Sequence, residues 1–86
     1  MQKPIVFSKH AEYKLALLRQ HGFDFSQKEI EAIVRNPERV RSGYVGRKVA
    51  EKIISEKHIF RVVFEDLPKQ IKIITMYPSR RSRYED

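Results

Sequence analysis

The chain has 86 residues, a formal net charge of +7 and no cysteine. A chain of this length has room for one hydrophobic core, so we expect a single domain over residues 1–86. The lack of cysteine excludes disulfide scaffolds and thiolate metal sites, and the histidines, His10, His21 and His58, lack the spacing of zinc ligands. With no long apolar run and no signal-peptide pattern, the sequence predicts a cytoplasmic protein.

Most of the positive charge lies in the second part of the chain. Residues 37–86 carry twelve basic and seven acidic side chains, which accounts for five of the seven excess charges. Basicity of this degree indicates an anionic partner, most often nucleic acid. An acidic protein is an alternative, whereas a membrane is disfavoured because the sequence has no basic amphipathic helix with an aromatic and leucine face.

The first half of the sequence predicts a short strand and two helices. Ile5–Phe7 is an apolar segment that suits an edge strand, and Ser8 is a good N-cap for a helix over residues 9–21 that ends at Gly22. Ser26 and Glu29 have the spacing of a capping box, which predicts the start of a second helix. That helix is expected to end at Asn36, because the residue before a proline avoids the α-helical region.

After Pro37 the apolar residues alternate, which predicts strands. The predicted strands span 39–44, 47–55, 59–65 and 71–77, and their short connections indicate an antiparallel meander. Pro78 is expected to end the sheet and to begin a basic C-terminal tail over residues 78–86. The order β-α-α-β-β-β-β predicts an α+β fold, with two N-terminal helices packed on one face of an antiparallel sheet of about four strands.

The basic tail is the first candidate for function. Arg80, Arg81 and Arg83 precede Tyr84. Guanidinium groups bind phosphate in a bidentate manner, and an aromatic ring next to them can stack on an unpaired base. The alternative is a solvated C-terminus that only keeps the protein in solution.

His10 and Arg61 are the other two candidates. His10 lies in the first turn of the predicted helix, where the helix dipole disfavours a charged imidazole and so favours a general base, and Lys14 shares its helix face. Arg61 lies within an apolar strand, where it needs solvent or a polar partner. If the helices cover Phe60, Val62 and Phe64, then Arg61 lies on the opposite face. A surface histidine and an ordinary solvated strand face are the alternatives, and neither His21 nor His58 is expected to contribute.

The sequence carries no P-loop, no dinucleotide-binding glycine pattern, no zinc-hydrolase histidine pair and no acidic cluster of a two-metal nuclease. Nuclease chemistry would then act on RNA without a metal, since the RNA 2′-hydroxyl can itself attack the adjacent phosphate. Such a reaction needs a base, an acid and cations around the phosphorane, for which histidine, arginine and lysine suffice.

Two stretches of the sequence resemble a known family. Phe7-Ser8-Lys9-His10-Ala11, followed by Lys14 and by Arg19-Gln20-His21-Gly22-Phe23, resembles a group of small prokaryotic domains with a His-Ala helix start. The later strands and the ending Ile73-Ile74-Thr75-Met76-Tyr77-Pro78, with Arg80, Arg83 and Tyr84, look like the RelE and BrnT toxins of toxin–antitoxin pairs. The resemblance covers nearly the whole chain.

This resemblance implies a RelE-like fold, a metal-independent endoribonuclease that needs no cofactor, RNA as the partner (commonly mRNA on the ribosome), and a cognate antitoxin protein. The implied catalytic residues are His10, Arg61, Arg80, Arg83 and Tyr84. The residues expected to bind RNA around them are Lys9, Lys14, Arg47, Lys72, Tyr77 and Arg81. The chain departs from the toxins in having only Lys72 as a sheet-face lysine near the tail.

Two other functions remain open from the sequence. A non-catalytic RNA-binding or ribosome-associated module would use the same basic face, and a protein-interaction domain would present that face to an acidic partner.

Overall fold

A computed structural model of the chain describes residues 3–81 and shows two helices and a five-stranded sheet. The elements in chain order are β1 (Ile5–Phe7), α1 (Lys9–Gln20), α2 (Gln27–Arg35), β2 (Arg39–Ser42), a 3-10 turn (Tyr44–Gly46), β3 (Lys48–Ile53), β4 (His58–Asp66) and β5 (Ile71–Arg80). The predicted α+β class and the order β-α-α-β-β-β-β are confirmed.

Both helices begin at the predicted caps. The Ser8 hydroxyl accepts a hydrogen bond from the Ala11 amide at 3.0 Å, and Ser26 and Glu29 form the complete capping box. α1 ends at Gln20 and is followed by Gly22 with φ of +91°, a left-handed conformation that glycine adopts without a steric penalty. These local contacts fix where each helix starts and therefore which of its residues face the sheet.

The sheet has the strand order β1-β5-β4-β3-β2, and its connectivity corrects one prediction. Strands β2 to β5 form the expected antiparallel meander, but β1 pairs in parallel with β5, with Phe7 opposite Ile73. The sheet is therefore mixed and has five strands, not about four antiparallel ones. The two helices lie between β1 and β2 in sequence, which lets β1 cross to the far edge of the sheet and run parallel to β5.

The end of the sheet was also predicted wrongly. β5 continues through Pro78 to Arg80, and Pro78 is paired with Phe60 of β4. Beyond Ile73, β1 no longer pairs with β5 among the described residues, and the Ser8 hydroxyl donates to the Ile74 carbonyl at 3.0 Å. The Arg81 amide donates to the Lys57 carbonyl, and by the antiparallel alternation the nitrogen of Pro78 then faces away from β4. A proline at this position costs no hydrogen bond within the sheet.

The hydrophobic core lies between the helices and one face of the sheet. Phe60, Val62 and Phe64 share one face of β4, as predicted, and this is the face that the helices cover; the Phe25 and Phe60 rings pack in a tilted arrangement with centroids 4.7 Å apart. The remaining buried side chains of this core are Ala11, Leu15, Leu18, Ile30, Ile33, Val34, Ala50, Ile73 and Met76. Neither helix is long and apolar enough to cross a membrane among the residues that the structure describes. We call the opposite face of the sheet the outer face.

Candidate anion-binding surface

A row of polar side chains crosses the outer face. The strand register places Arg39 of β2 opposite Glu51 of β3, Glu51 opposite Arg61 of β4, and Arg61 opposite Tyr77 of β5. Side chains alternate between the faces of a sheet, and Arg61 lies between the core residues Phe60 and Val62, so this row belongs to the outer face. The prediction that Arg61 lies opposite the helices is confirmed.

Glu51 is the centre of this row and is fully buried. Its carboxylate accepts hydrogen bonds from the Nε groups of Arg39 at 2.8 Å, Arg41 at 3.2 Å and Arg61 at 2.6 Å. We call these four residues the Glu51 cluster. Three guanidinium groups share this one carboxylate, so the four residues together carry a formal charge of +2.

The pKa values within the cluster follow from this geometry. Burial of the Glu51 carboxylate would raise its pKa, but hydrogen bonds from Arg39 and Arg61 and their charges outweigh burial and hold the pKa below its ordinary value of 4.5. Burial likewise opposes the charge of Arg61, but Glu51 and, to a smaller extent, Tyr77 raise the pKa of Arg61 above its ordinary value. Both groups are therefore charged at neutral pH, and Arg61 has Glu51 as the polar partner that its position requires.

His10 lies at the edge of the outer face. Its Nε2 atom is 3.2 Å from the Thr75 hydroxyl, and the imidazole is exposed. Thr75 is paired with Val63 and precedes the buried Met76, so its side chain belongs to the outer face. Since β1 does not extend this far along β5, the first turn of α1 can reach around the sheet edge. The structure therefore brings His10 to the same face as Arg61 and Tyr77.

A second basic region lies at the end of the sheet, where β4 begins and β5 ends. We call it the terminal cleft; it has a volume of about 450 Å³ and is lined by Glu56, Lys57, His58, Arg80 and Arg81. His58 and Arg80 are direct partners in the strand register, and the Arg81 amide extends the pairing through a 2.9 Å hydrogen bond to the Lys57 carbonyl. The backbone therefore fixes these basic residues on neighbouring strands.

Ser55 shapes the turn that forms one wall of the terminal cleft. Its hydroxyl accepts hydrogen bonds from the amides of Lys57 at 3.3 Å and His58 at 3.1 Å. Such bonds from a serine side chain to the following amides stabilise a tight turn. The positions of Lys57 and His58 thus depend on local backbone geometry as well as on strand pairing.

The predicted site residues divide into three groups. Arg61, Tyr77 and His10 share the outer face, and Arg80 and Arg81 lie together in the terminal cleft. The others are dispersed: Lys9 and Lys14 lie on α1, Arg47 is exposed just before β3, and Lys72 is paired with Glu65 and Val6 near the start of β5. The predicted residues Arg83 and Tyr84 lie outside the described part of the chain.

Sequence reasoning missed two groups of residues. It left out Glu51 with Arg39 and Arg41, although the alternation of the predicted strands would have put Glu51 and Arg61 on one face once their register was known. It also gave no role to His58, because a histidine beside a turn has no recognisable partner until the register places Arg80 opposite. In both cases the missing information is strand register, which depends on contacts distant in sequence.

Within residues 3–81, no group of three or more histidine, aspartate or glutamate side chains is placed to hold a metal ion. Comparison with known proteins adds no relative, since no family model, no curated protein and no solved structure matches this chain.

Proposed function

We propose that the protein binds RNA on the outer face of its sheet and cleaves it without a metal ion, as the toxin of a toxin–antitoxin pair. The observation that carries the proposal is the convergence of Arg61, Tyr77 and His10 on the face that the helices leave uncovered. A histidine can supply one of the two proton transfers of cleavage through the RNA 2′-hydroxyl, and a positive surface can stabilise the phosphorane.

The reaction would proceed by attack of the 2′-hydroxyl oxygen on the adjacent phosphorus. The base takes the hydroxyl proton, a new O2′–P bond forms, and the P–O5′ bond breaks as an acid protonates the leaving 5′-oxygen. The products are a 2′,3′-cyclic phosphate and a 5′-hydroxyl. We assign one of the two proton transfers to His10, as base or as acid, and the other to water, and the stabilisation of the developing negative charge to the positive potential around Arg61.

Purified protein incubated with RNA in the presence of EDTA tests this function. We expect cleavage that continues in the chelator and leaves 2′,3′-cyclic phosphate ends, and we expect His10→Gln to reduce the rate by roughly 100-fold or more while RNA affinity is retained. His21→Gln is the matched control, because His21 is exposed at the other end of α1. Growth arrest after induced expression, relieved by His10→Gln, would support the toxin assignment.

One observation favours a second candidate, a non-catalytic RNA-binding module. The Nε of Arg61 is engaged by a buried carboxylate at 2.6 Å, so the cluster has an internal anion and a structural role of its own. RNA binding without any cleavage by the wild-type protein would select this candidate over the ribonuclease.

A further inference from the structure

The last strand, β5, contains a β-bulge that decides which of its residues reach the outer face. Val63 of β4 is paired with Thr75, but the next residue of β4 is paired with Ile73, so Ile74 is an extra residue on β5. In a regular strand, residues an odd number of positions apart lie on opposite faces, yet Ile73 and Met76 are both buried in the core. Without the bulge, Thr75 would share the helix-covered face with Ile73.

The bulge is also the place where the start of α1 is attached to the sheet. The Ser8 amide donates to the Ile73 carbonyl at 2.9 Å, and the Ser8 hydroxyl donates to the Ile74 carbonyl at 3.0 Å. The same hydroxyl accepts the hydrogen bond that caps α1. Ser8 therefore holds the first turn of α1, and with it His10, next to Thr75, the residue that follows the bulge.

We propose that Thr75 is a positioning residue for His10, and that its hydroxyl leaves Nδ1 as the ring nitrogen that exchanges a proton with RNA. This inference rests on the proposed ribonuclease function and adds to it the atom through which His10 works. The His10 Nε2 atom is 3.2 Å from Thr75 Oγ1, so this nitrogen is engaged within the protein. The imidazole is exposed and makes no other hydrogen bond within residues 3–81, so Nδ1 is open to a substrate.

The direction of this hydrogen bond follows from the change of charge that the His10 ring undergoes. A hydroxyl can donate or accept, but an imidazolium has a proton on both nitrogens and can only donate. Only a bond in which Nε2–H donates to the Thr75 oxygen therefore persists in both states of the ring. As base, Nδ1 takes the 2′-hydroxyl proton while Nε2 keeps its own; as acid, Nδ1 gives its proton to the leaving 5′-oxygen. Proton exchange between Nδ1 and water then restores the starting ring.

Variants of Thr75 separate positioning from packing in an RNA cleavage assay. Thr75→Val keeps the β-branched shape without the hydroxyl, whereas Thr75→Ser keeps a hydroxyl. We expect the valine variant to have a kcat about tenfold lower with an unchanged KM, because one hydrogen bond is lost and the RNA contacts remain, and the serine variant to retain most of the kcat. Ser79→Ala is the matched control, since Ser79 lies on the same face of β5 but roughly 13 Å along the strand, and its kcat should stay within about twofold of wild type.

Nitrogen-15 NMR of the imidazole gives a readout that does not depend on cleavage. In alkaline solution, where a histidine ring is neutral, the nitrogen shifts distinguish the Nε2–H tautomer from the Nδ1–H tautomer. His21 is exposed at the other end of α1 and serves as the internal reference. In wild type and in Thr75→Ser, His10 should hold the Nε2–H form more completely than His21 does, and in Thr75→Val the tautomer ratio of His10 should approach that of His21.

The outcomes separate this inference from the function on which it rests. If wild type cleaves RNA and Thr75→Val has the same kcat, or if His10 and His21 have the same tautomer ratio in wild type, the positioning role is overturned while the ribonuclease stands. If His10 is held as the Nδ1–H tautomer, the Thr75 hydroxyl donates and the assignment of Nδ1 as the reacting nitrogen is wrong. If wild type does not cleave RNA, the proposed function is overturned and Nδ1 has no reaction to serve, whatever the tautomer ratio.

Discussion

The Glu51 cluster and the terminal cleft are both rich in arginine, but they use positive charge differently. In the cluster, Arg39, Arg41 and Arg61 converge on a carboxylate that is fully buried. In the cleft, Lys57, Arg80 and Arg81 surround a concave volume open to solvent. A high net charge is therefore not a measure of binding capacity, because some of the arginines form ion pairs that hold β2, β3 and β4 together.

This difference predicts that Glu51→Gln is strongly destabilising. The substitution keeps the shape of the side chain but leaves three guanidinium groups without their shared anion. Breaking a buried ion pair costs about 3–5 kcal/mol, and we expect about 3 kcal/mol because Arg39 and Arg41 keep contact with water. Urea unfolding measures the change, with Glu38→Gln as an exposed control expected within about 0.5 kcal/mol. Equal midpoints for the two variants would contradict the structural role of the cluster.

The pH dependence of stability tests the same carboxylate. The folded-state pKa of Glu51 is depressed, so the unfolded chain binds the proton more readily. The stability contributed by Glu51 is fully present above its unfolded pKa, near 4.5, and is lost as the pH falls through the lower folded pKa. The difference in unfolding free energy between wild type and Glu51→Gln should therefore be constant above about pH 5.5 and should decrease at lower pH.

Asp66 provides the control for this measurement, since its pKa is also lowered, mainly by its hydrogen bond with Lys3. Asp66 is exposed. In proteins that also carry Asp66→Asn, the difference in unfolding free energy between Glu51 and its glutamine variant should still decrease as the pH falls. If the difference in unfolding free energy between wild type and Glu51→Gln stays constant down to pH 3, the Glu51 carboxylate is not stabilised in the folded state.

A comparison of single arginines sharpens the distinction further. Arg61→Gln removes a charge-assisted hydrogen bond to Glu51 and should cost about 2 kcal/mol in unfolding free energy. Arg80→Gln should change the unfolding free energy by less than about 0.5 kcal/mol, because the side chain is exposed at the end of β5. Thermal melts monitored by circular dichroism measure both. Similar losses for the two variants would remove the distinction between the regions.

The sequence was informative where structure is decided locally. The caps predicted that the helices start at Ser8 and Ser26, and the apolar period predicted the order of the elements and which residues of β4 share a face. All of these are confirmed. The parallel pairing of β1 with β5 joins residues more than sixty positions apart, and no local pattern encodes it. The same limit applies to the site, since Glu51 meets Arg61, and His58 meets Arg80, only through the register. Pro78 was misjudged because a proline is tolerated at a strand edge.

The turn between β2 and β3 contains a strained residue, Val45. Val45 has φ of 56° and ψ of 54°, the left-handed region, which a β-branched residue rarely adopts. Its side chain is 74% exposed, so packing does not compensate for the conformation. The turn joins the strands that carry Arg39, Arg41 and Glu51, and we attribute the strain to the pairing that the Glu51 cluster imposes on them.

Val45→Asn should therefore stabilise the protein by about 0.5–1 kcal/mol, because asparagine tolerates the left-handed region and little packing is lost. Val45→Ala is the matched control; like asparagine it removes the β-branch, but it lacks the side-chain amide that hydrogen-bonds the local backbone in this conformation, so it should gain less. If the cluster imposes the strain, the gain from asparagine should shrink in a Glu51→Gln background, where the turn is free to relax. Urea unfolding of the four proteins in this double-mutant cycle measures the coupling, and a fully additive result would mean that the turn is strained independently of the cluster.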